Sequence, residues 1–229
     1  PAYVRGWYAA HWPAENREAI TRSYRAALES LRSVDDLVGD VVESLRRSGQ
    51  VDRTVIVFTS DNGWTFGEHQ ITWWKVVPYE ESIHVPLIIR GPGFPAGATA
   101  TQVVGNIDLA PTLVDLSGAT PGRTMDGRSL VPLAQDPSLA TDRAVLLEDW
   151  PEGTSPVVPH YTGVRAQGEV YVEYDNGDRE LYDLTADPHQ LDNRAGDPAH
   201  AARRAVLASA LARLRGCAGA ACEVTVAPG

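Results

Sequence analysis

The sequence predicts an α/β fold that is followed by a small antiparallel sheet with one helix. A long helical pattern over residues 16–48 leads into an apolar, β-branched run over 54–59, and a second apolar run covers 85–90. Four short strand patterns, separated by polar turns, then precede a helical pattern over 198–214. Helices that alternate with strands are typical of α/β proteins, whereas consecutive short strands are typical of antiparallel sheets.

The first helix is predicted by apolar residues at steps of three and four, as on one face of an α-helix, and Gly49 is a suitable stop. The residues of this apolar face are Ile20, Tyr24, Leu28, Leu31, Val34, Val38, Val41 and Leu45. The run 54–59 is apolar on both faces, which is typical of a parallel strand covered by helices on either side. Residues 64–82 then predict a loop-rich connection to the second strand.

A helix is also predicted over residues 106–118, after a Gly-Pro-Gly sequence that ends the second strand. Asp108 is suited to cap its N-terminus, Pro111 is tolerated in the first turn, and Gly118 fits the position just after the helix. Residues 121–137 are rich in turn formers and are expected to run over the surface.

The pattern changes near residue 141, so we expect one unit over residues 1–140 and a second, smaller one over 141–229. The strand patterns of the second unit cover 144–148, 162–166, 169–174 and 180–182. An Asp-Asn-Gly-Asp sequence at 175–178 predicts a hairpin turn between the last two. The apolar stripe of the final helix is predicted to consist of Val206, Leu207, Leu211 and Leu214.

The charge balance narrows the classes of partner. A net charge of −10 over 229 residues argues against nucleic acid and anionic membranes, since both require a basic face. No run of about eighteen apolar residues occurs, so the sequence predicts no membrane-spanning helix.

Asp61 and Asn62 are the first candidates for chemistry, because they follow the strand pattern 54–59 directly. In open α/β sheets, ligands bind just beyond the carboxyl ends of the strands. A carboxylate and a carboxamide are hard oxygen ligands that suit Ca²⁺ or Mg²⁺. The alternative is an ordinary Asp-Asn-Gly turn, which these residues favour for backbone reasons.

Lys75 is the only lysine among the 20 basic residues. Its ammonium could bind a tetrahedral anion and assist a leaving oxygen, or the side chain could lie at the surface on neighbouring rings. His69 could act as a general acid or be a hydrogen-bonded loop residue. His84 is expected to pack or to face solvent.

Cys217 and Cys222 are the only cysteines, and their spacing alone allows either a small disulfide loop or two reduced thiols. No glycine-rich phosphate loop, nucleophile elbow or His-Glu-x-x-His motif occurs. The residues therefore predict half of a cation site and an anion-binding lysine, but no nucleophile.

Taken together, the chain resembles the C-terminal half of a type I sulfatase of the alkaline phosphatase-like superfamily. Besides Lys75, the matching segments are residues 33–39, 58–63, 67–69, 79–87, 106–112, 126–130, 180–184 and 187–188. The spacing of Lys75 and the C-terminal cysteine pair are most similar to the glucosamine-6-sulfatase-like branch. The resemblance implies an alkaline phosphatase-like, mostly parallel sheet flanked by helices in the first unit.

The resemblance implies that Asp61 and Asn62 bind a Ca²⁺ ion, with Mg²⁺ as the other option, and that Lys75 contacts the sulfate. Phosphonate and phosphodiester relatives often carry His where this chain has Asn62. His69 has no assigned role in the family pattern and is kept as an active-site neighbour. Asp35 and the adjacent Asp36 lie inside the first helix and do not match the two upstream aspartates of the family.

The family's nucleophile is a formylglycine formed within an N-terminal Cys-x-Pro-Ser-Arg or similar motif, which this sequence lacks. We therefore expect this polypeptide alone to be inactive, and the full enzyme to hydrolyse sulfate monoesters, including those of sulfated sugars. The alternatives are a phosphoester hydrolase of the same superfamily and an inert remnant that serves as a binding module. The family analogy favours a bonded Cys217–Cys222 pair and a secreted, periplasmic or extracellular protein, associated with a missing N-terminal half or with a second copy.

Overall fold

A computed structural model describes residues 14–139, 141–149 and 159–229, with backbone only at 14–16 and 72–74. Its first element is α1, Ala14–Arg47, which confirms the long helix predicted from the apolar periodicity. Most of the predicted apolar face is exposed within the part that the structure describes. Its exposed residues include Tyr24, Leu28, Leu31, Val34, Val38 and Val41, with Leu37 beside them.

The two apolar runs form strands β1, Ile56–Thr59, and β4, Leu87–Arg90, which pair with each other in antiparallel orientation. The prediction that the first of them is a parallel strand was therefore wrong for this pair. A parallel return requires a crossover connection of a dozen or more residues, which is usually an α-helix. The connection here contains the short strands β2, Thr65–Phe66, and β3, Thr72–Trp74, a 3₁₀ turn, Glu68–Gln70, and the single helical turn α2, Glu80–Ile83, but no long helix. Apolar residues on both faces report burial and not strand direction.

The predicted helix over 106–118 is observed as a 3₁₀ turn, Asn106–Asp108, that continues into α3, Leu109–Ser117. Gly118 follows with a φ of 64°, as predicted for its position. Asp108 directly precedes α3, but its carboxylate accepts from the Gly105 N–H and so closes the 3₁₀ turn instead of capping α3.

The region 121–137 was predicted to be turn-rich and to run over the surface, and this prediction was wrong for its last third. Residues Val131–Gln135 form a short helix, α4, and both Leu130 and Leu133 are buried. Pro132 lies in the first turn of α4, where proline is favourable because the N–H that it lacks would have no partner within the helix.

The second part contains the four predicted strands in the order β5-β6-β7-β8, with antiparallel pairing throughout. Their bounds are Val145–Glu148, Tyr161–Ala166, Glu169–Tyr174 and Arg179–Asp183. The predicted hairpin joins β7 to β8, where Gly177 adopts a φ of 88°.

The C-terminal helix α5 covers Ala201–Leu214 and buries Leu207, Leu211 and Leu214 as predicted. Val206 is 47% exposed, so the prediction that it belongs to the buried stripe was wrong. A step of one residue rotates a side chain by about 100° around a helix, which moves Val206 off the face of its neighbour Leu207. Ala210 completes the buried stripe instead.

The small sheet has apolar contacts on both faces. One face packs on α5, through residues that include Val164, Tyr171 and Leu181. The other face, with Val170 and Val172, packs against residues of the first part, Ile71, Val77 and Tyr79. A hydrophobic cluster therefore crosses residue 140, and the division into two units there stays a prediction.

Candidate functional site

The segment after β1 forms a tight turn that holds Asp61 and Asn62 by local hydrogen bonds. The Ser60 hydroxyl donates to the Asn62 carbonyl over 2.8 Å, and the Asn62 N–H donates to Asp61 Oδ1 over 2.8 Å. Asn62 Nδ2 donates to the carbonyl of Gly63 over 2.8 Å, so Oδ1 is the atom of this carboxamide that can ligate a cation. Asp61 and Asn62 can therefore form a local turn and still offer oxygen ligands to a cation.

Gly63 presses this turn against α2. Its N–H donates to the Ser82 carbonyl over 2.8 Å, and a Cβ atom built on Gly63 would lie 1.9 Å from the Glu81 carbonyl oxygen. Both contacts are with backbone atoms, so no side-chain rotation can make room for a larger residue. Glycine is required here by close approach of two backbone segments.

Lys75 directly follows β3 and is exposed. Asp61, Asn62 and Lys75 line the same cavity, which has a volume of about 1100 Å³. The three residues that the sequence singled out for cation and anion binding therefore lie on the wall of one cavity. Asn106 also lines this cavity, and its Nδ2 donates to the backbone oxygen of Asp61 over 3.2 Å.

The donor set at the turn suits a hard cation in part. Asp61 and Asn62 offer a carboxylate and a carboxamide oxygen, the ligand types that Ca²⁺ and Mg²⁺ prefer. Within the described part of the chain, no three His, Cys, Asp or Glu side chains come together around a common point. These two residues therefore fit two positions of a coordination shell that needs further ligands.

His69 does not line the described wall of the cavity. Its imidazole stacks on the Tyr79 ring, with centroids 3.7 Å apart and planes 12° apart, and its side chain is 7% exposed. Its Nε2 lies 3.6 Å from Glu81 Oε2, and this contact with the imidazole lowers the pKa of the Glu81 carboxyl. The structure thus places His69 as a packing partner of α2, the helical turn that supports Gly63.

His84 is exposed and lines the cavity, in agreement with the expectation that it faces solvent. Its Nδ1 lies 3.2 Å from Glu80 Oε2. Glu80 also receives two hydrogen bonds from Arg165, at 2.8 Å and 3.2 Å, and its N–H donates to Gln190 Oε1 over 2.7 Å. Arg165 belongs to β6, so the small sheet contributes to the wall of the cavity.

Sequence reasoning did not single out Glu80, Ser82, Asn106 or Arg165. The first three lie within segments that carry the family resemblance, which was a usable signal for their importance. Two of these contacts join residues that lie far apart in the sequence: Arg165 is 85 residues from Glu80, and Asn106 is 45 residues from Asp61. No local pattern encodes contacts of this range.

A buried ion pair fixes the 3₁₀ turn that carries Asn106. The Asp108 carboxylate is 0% exposed and accepts from Arg143 Nη1 over 2.5 Å and from the Arg128 N–H over 2.9 Å. A Cβ atom on Gly127 would lie 2.0 Å from the Ile107 carbonyl oxygen, so residues around Gly127 press closely on this turn.

Cys217 and Cys222 form a disulfide, with Cα atoms 5.0 Å apart. Within its loop, the Gly219 N–H donates to Asp126 Oδ1 over 2.7 Å. The disulfide loop is therefore attached to the segment that packs on the 3₁₀ turn. In the described residues, no helix has the length and apolar character needed to cross a membrane.

Two family models match this chain. The model described as Sulfatase matches residues 4–119, and the one described as N-sulphoglucosamine sulphohydrolase, C-terminal, matches residues 67–216. The N-acetylglucosamine-6-sulfatase of Capra hircus is 36% identical over 208 residues, which cover 77% of this chain and 37% of the goat protein. The chain thus spans well under half the length of that relative.

Solved structures agree with this comparison. BT4656, in complex with its substrate D-glucosamine-2-N,6-O-disulfate, matches with a TM-score of 0.75 and 30% identity over 81% of this chain and 38% of that chain. The phosphonate monoester hydrolase of Agrobacterium radiobacter matches with a TM-score of 0.69 and 33% identity, over 80% of this chain and 39% of that chain.

Proposed function

The chain belongs to the sulfatase family, and on that premise we propose that it carries part of the active site of a sulfuric ester hydrolase. The observation that carries this proposal is that Asp61, Asn62 and Lys75 line one common cavity. Two hard oxygen donors and one ammonium at a common cavity suit a sulfate group that is bound between a cation and a lysine.

Each residue has a distinct proposed task. Asp61 and Asn62 would hold a Ca²⁺ ion, or Mg²⁺, and the bound cation would supply positive charge that neutralises sulfate oxygens. Lys75 would bind another sulfate oxygen and stabilise negative charge on the departing ester oxygen. Lysine suits this task because its compact ammonium has three donors that rotate freely.

We propose that the nucleophile, a formylglycine, lies outside residues 1–229. Both cysteines of this chain lie in a disulfide, and neither is part of a Cys-x-Pro-Ser-Arg sequence. The exposed apolar face of α1 is consistent with this proposal, because a contiguous apolar stripe on a helix normally packs against other protein. We expect residues 1–229 alone to release no sulfate, and turnover by this chain alone would contradict the proposal.

The proposed substrate class is a sulfate monoester of a sugar. Support comes from the relatives, since the goat protein is an N-acetylglucosamine-6-sulfatase and BT4656 binds a disulfated glucosamine. The disulfide supports a secreted, periplasmic or extracellular location, because disulfides persist in oxidising compartments.

The test uses two substitutions in a protein that contains this chain together with a formylglycine-bearing segment. Asp61→Ala and Lys75→Ala should each lower kcat/KM for an aryl sulfate by about 100-fold or more, the effect of removing one charge-stabilising group. Asp36→Ala is the matched control, because Asp36 is an exposed carboxylate on α1. Normal turnover by Asp61→Ala would remove this residue from the site.

A phosphonate or phosphoester hydrolase is the second candidate, favoured by the similarity to the Agrobacterium enzyme. Parallel assays with an aryl sulfate and an aryl phosphonate monoester separate the two activities. We expect a higher kcat/KM with the sulfate ester, and the reverse order would favour the second candidate. A folded protein that hydrolyses neither ester would favour a binding module.

A further inference from the structure

Ser82 lies where the two halves of the proposed site meet. It is the third residue of α2 and is 3% exposed. Its side chain and its backbone contact different segments: the hydroxyl donates to the Lys75 carbonyl, and the backbone carbonyl accepts from the Gly63 N–H over 2.8 Å. One buried residue is therefore bonded both to the lysine and to the turn that carries the oxygen ligands.

These two bonds matter because they hold the backbone segments from which the side chains of the site project. Asp61 and Lys75 are exposed, and their positions depend on the segments to which they belong. The turn is held by hydrogen bonds within residues 60–63 and by Gly63 on α2. The Lys75 segment is tied to the same helical turn by the Ser82 hydroxyl.

We propose that Ser82 is a positioning residue, whose hydroxyl fixes the backbone of Lys75 relative to the Asn62–Gly63 turn. Its effect on catalysis rests on the proposed function, whereas the hydrogen bond itself does not. Sulfate lies between the cation ligands and the lysine in that function, so the separation of these groups would set how well both reach it. A shift of about 1 Å in such a group can cost about 100-fold in rate.

The substitution Ser82→Ala separates the two contacts. It removes the hydroxyl bond to Lys75 and leaves the backbone bond to Gly63 in place. We therefore expect a selective defect: kcat/KM falls about 10- to 100-fold, as for a misplaced binding group, while the half-saturating Ca²⁺ concentration stays the same. Ser117→Ala is the matched control, because the Ser117 hydroxyl also donates to a backbone carbonyl, that of Val114, but is exposed at the end of α3.

The hydrogen bond is tested without any enzymatic assay. Lysine labelled with ¹³C at its carbonyl, combined with ¹⁵N-valine, selects the peptide bond between Lys75 and Val76 in an NMR spectrum. A carbonyl that accepts a hydrogen bond resonates downfield, so Ser82→Ala should move this signal upfield and Ser117→Ala should leave it unchanged. A Lys75 signal that stays in place in the Ser82→Ala protein would overturn the proposal.

A double-mutant cycle tests the catalytic consequence. If Ser82 acts through Lys75, adding Ser82→Ala to Lys75→Ala should cause no further loss of kcat/KM. Equal losses in both backgrounds would show that Ser82 acts elsewhere and would overturn its positioning role. If Lys75→Ala is itself fully active while the carbonyl signal moves, the hydrogen bond stands and the proposed function of Lys75 fails.

Discussion

Replacing Gly63 by alanine is the sharpest test of how the fold presents the oxygen ligands. The added Cβ would lie 1.9 Å from the Glu81 carbonyl oxygen, whereas real Cβ atoms essentially never approach closer than 3.0 Å. The two backbone segments must therefore separate by about 1.1 Å, the difference between these distances. Glu81 belongs to α2, so the turn with Asn62 and the helical turn would move apart.

The cost can be worked out from two contributions. Overpacking against a rigid backbone costs about 1–3 kcal/mol, and weakening the bond between the Gly63 N–H and Ser82 costs about 1 kcal/mol more. A loss of about 2–4 kcal/mol in the free energy of unfolding corresponds to a drop of about 4–16 °C in Tm for a chain of this size. Because the shift displaces the ligand turn, kcat/KM should also fall by about 100-fold.

Thermal unfolding followed by circular dichroism measures the first effect, and aryl sulfate hydrolysis measures the second. Gly39→Ala is the control, because Gly39 lies in α1 with nothing within 4 Å of an added Cβ. It should raise stability by about 0.5–1 kcal/mol, the helix preference of alanine over glycine. A Gly63→Ala protein that melts at the wild-type temperature and keeps its turnover would refute the close-approach argument.

Three further predictions concern the framework. Burial raises the pKa of Glu180 to about 6. The contribution of its neutral carboxyl to the free energy of unfolding is therefore complete below pH 4.5 and is lost as the pH rises through 6. Glu180→Gln should therefore stabilise the fold by about 2 kcal/mol well above pH 6 and bring no gain below pH 4.5. Urea unfolding at both pH values measures this difference, and an effect that does not depend on pH would contradict it. Asp108→Ala leaves the buried Arg143 without its carboxylate and should cost about 3–5 kcal/mol in the same assay, so unchanged stability would show that the pair contributes nothing. Replacing Cys217 and Cys222 together by alanine should cost about 2 kcal/mol through the opened loop, and equal unfolding midpoints of both proteins would argue against that contribution.

The parts of the fold that were predicted correctly have local causes. The periodicity of α1 and the hairpin signal before β8 are each contained within a short stretch of sequence. The direction of β1 relative to β4 was not predictable in this way, because both parallel and antiparallel pairing bury an apolar strand. The prediction that Val206 is buried was wrong for a related reason. Several apolar residues of α5 could form the buried stripe, and tertiary packing selects among them.

The same distinction between local patterns and tertiary contacts applies to the candidate site. Asp61, Asn62 and Lys75 were found because their residue types are chemically distinctive and their order matches a family pattern. The residues that hold them in place were not found, because a hydrogen bond from a serine hydroxyl to a backbone carbonyl leaves no trace in composition or periodicity. His69 was also kept as a neighbour of the site, whereas its stacking on Tyr79 gives it a structural environment.

The helical turn α2 and the residue before it connect the candidate site to the second part of the chain. On one side, Ser82 contacts Gly63 and the Lys75 carbonyl. On the other, the Tyr79 hydroxyl donates to Glu180 over 3.0 Å, and Glu80 pairs with Arg165. Tyr79, Glu80 and Ser82 thus join the ligand turn and the lysine to the small antiparallel sheet. Because α2 is a single turn, its conformation depends on these contacts more than on its own helix propensity. We therefore expect the small sheet to influence the proposed chemistry through α2, because α2 contacts both the turn with Asn62 and the segment of Lys75.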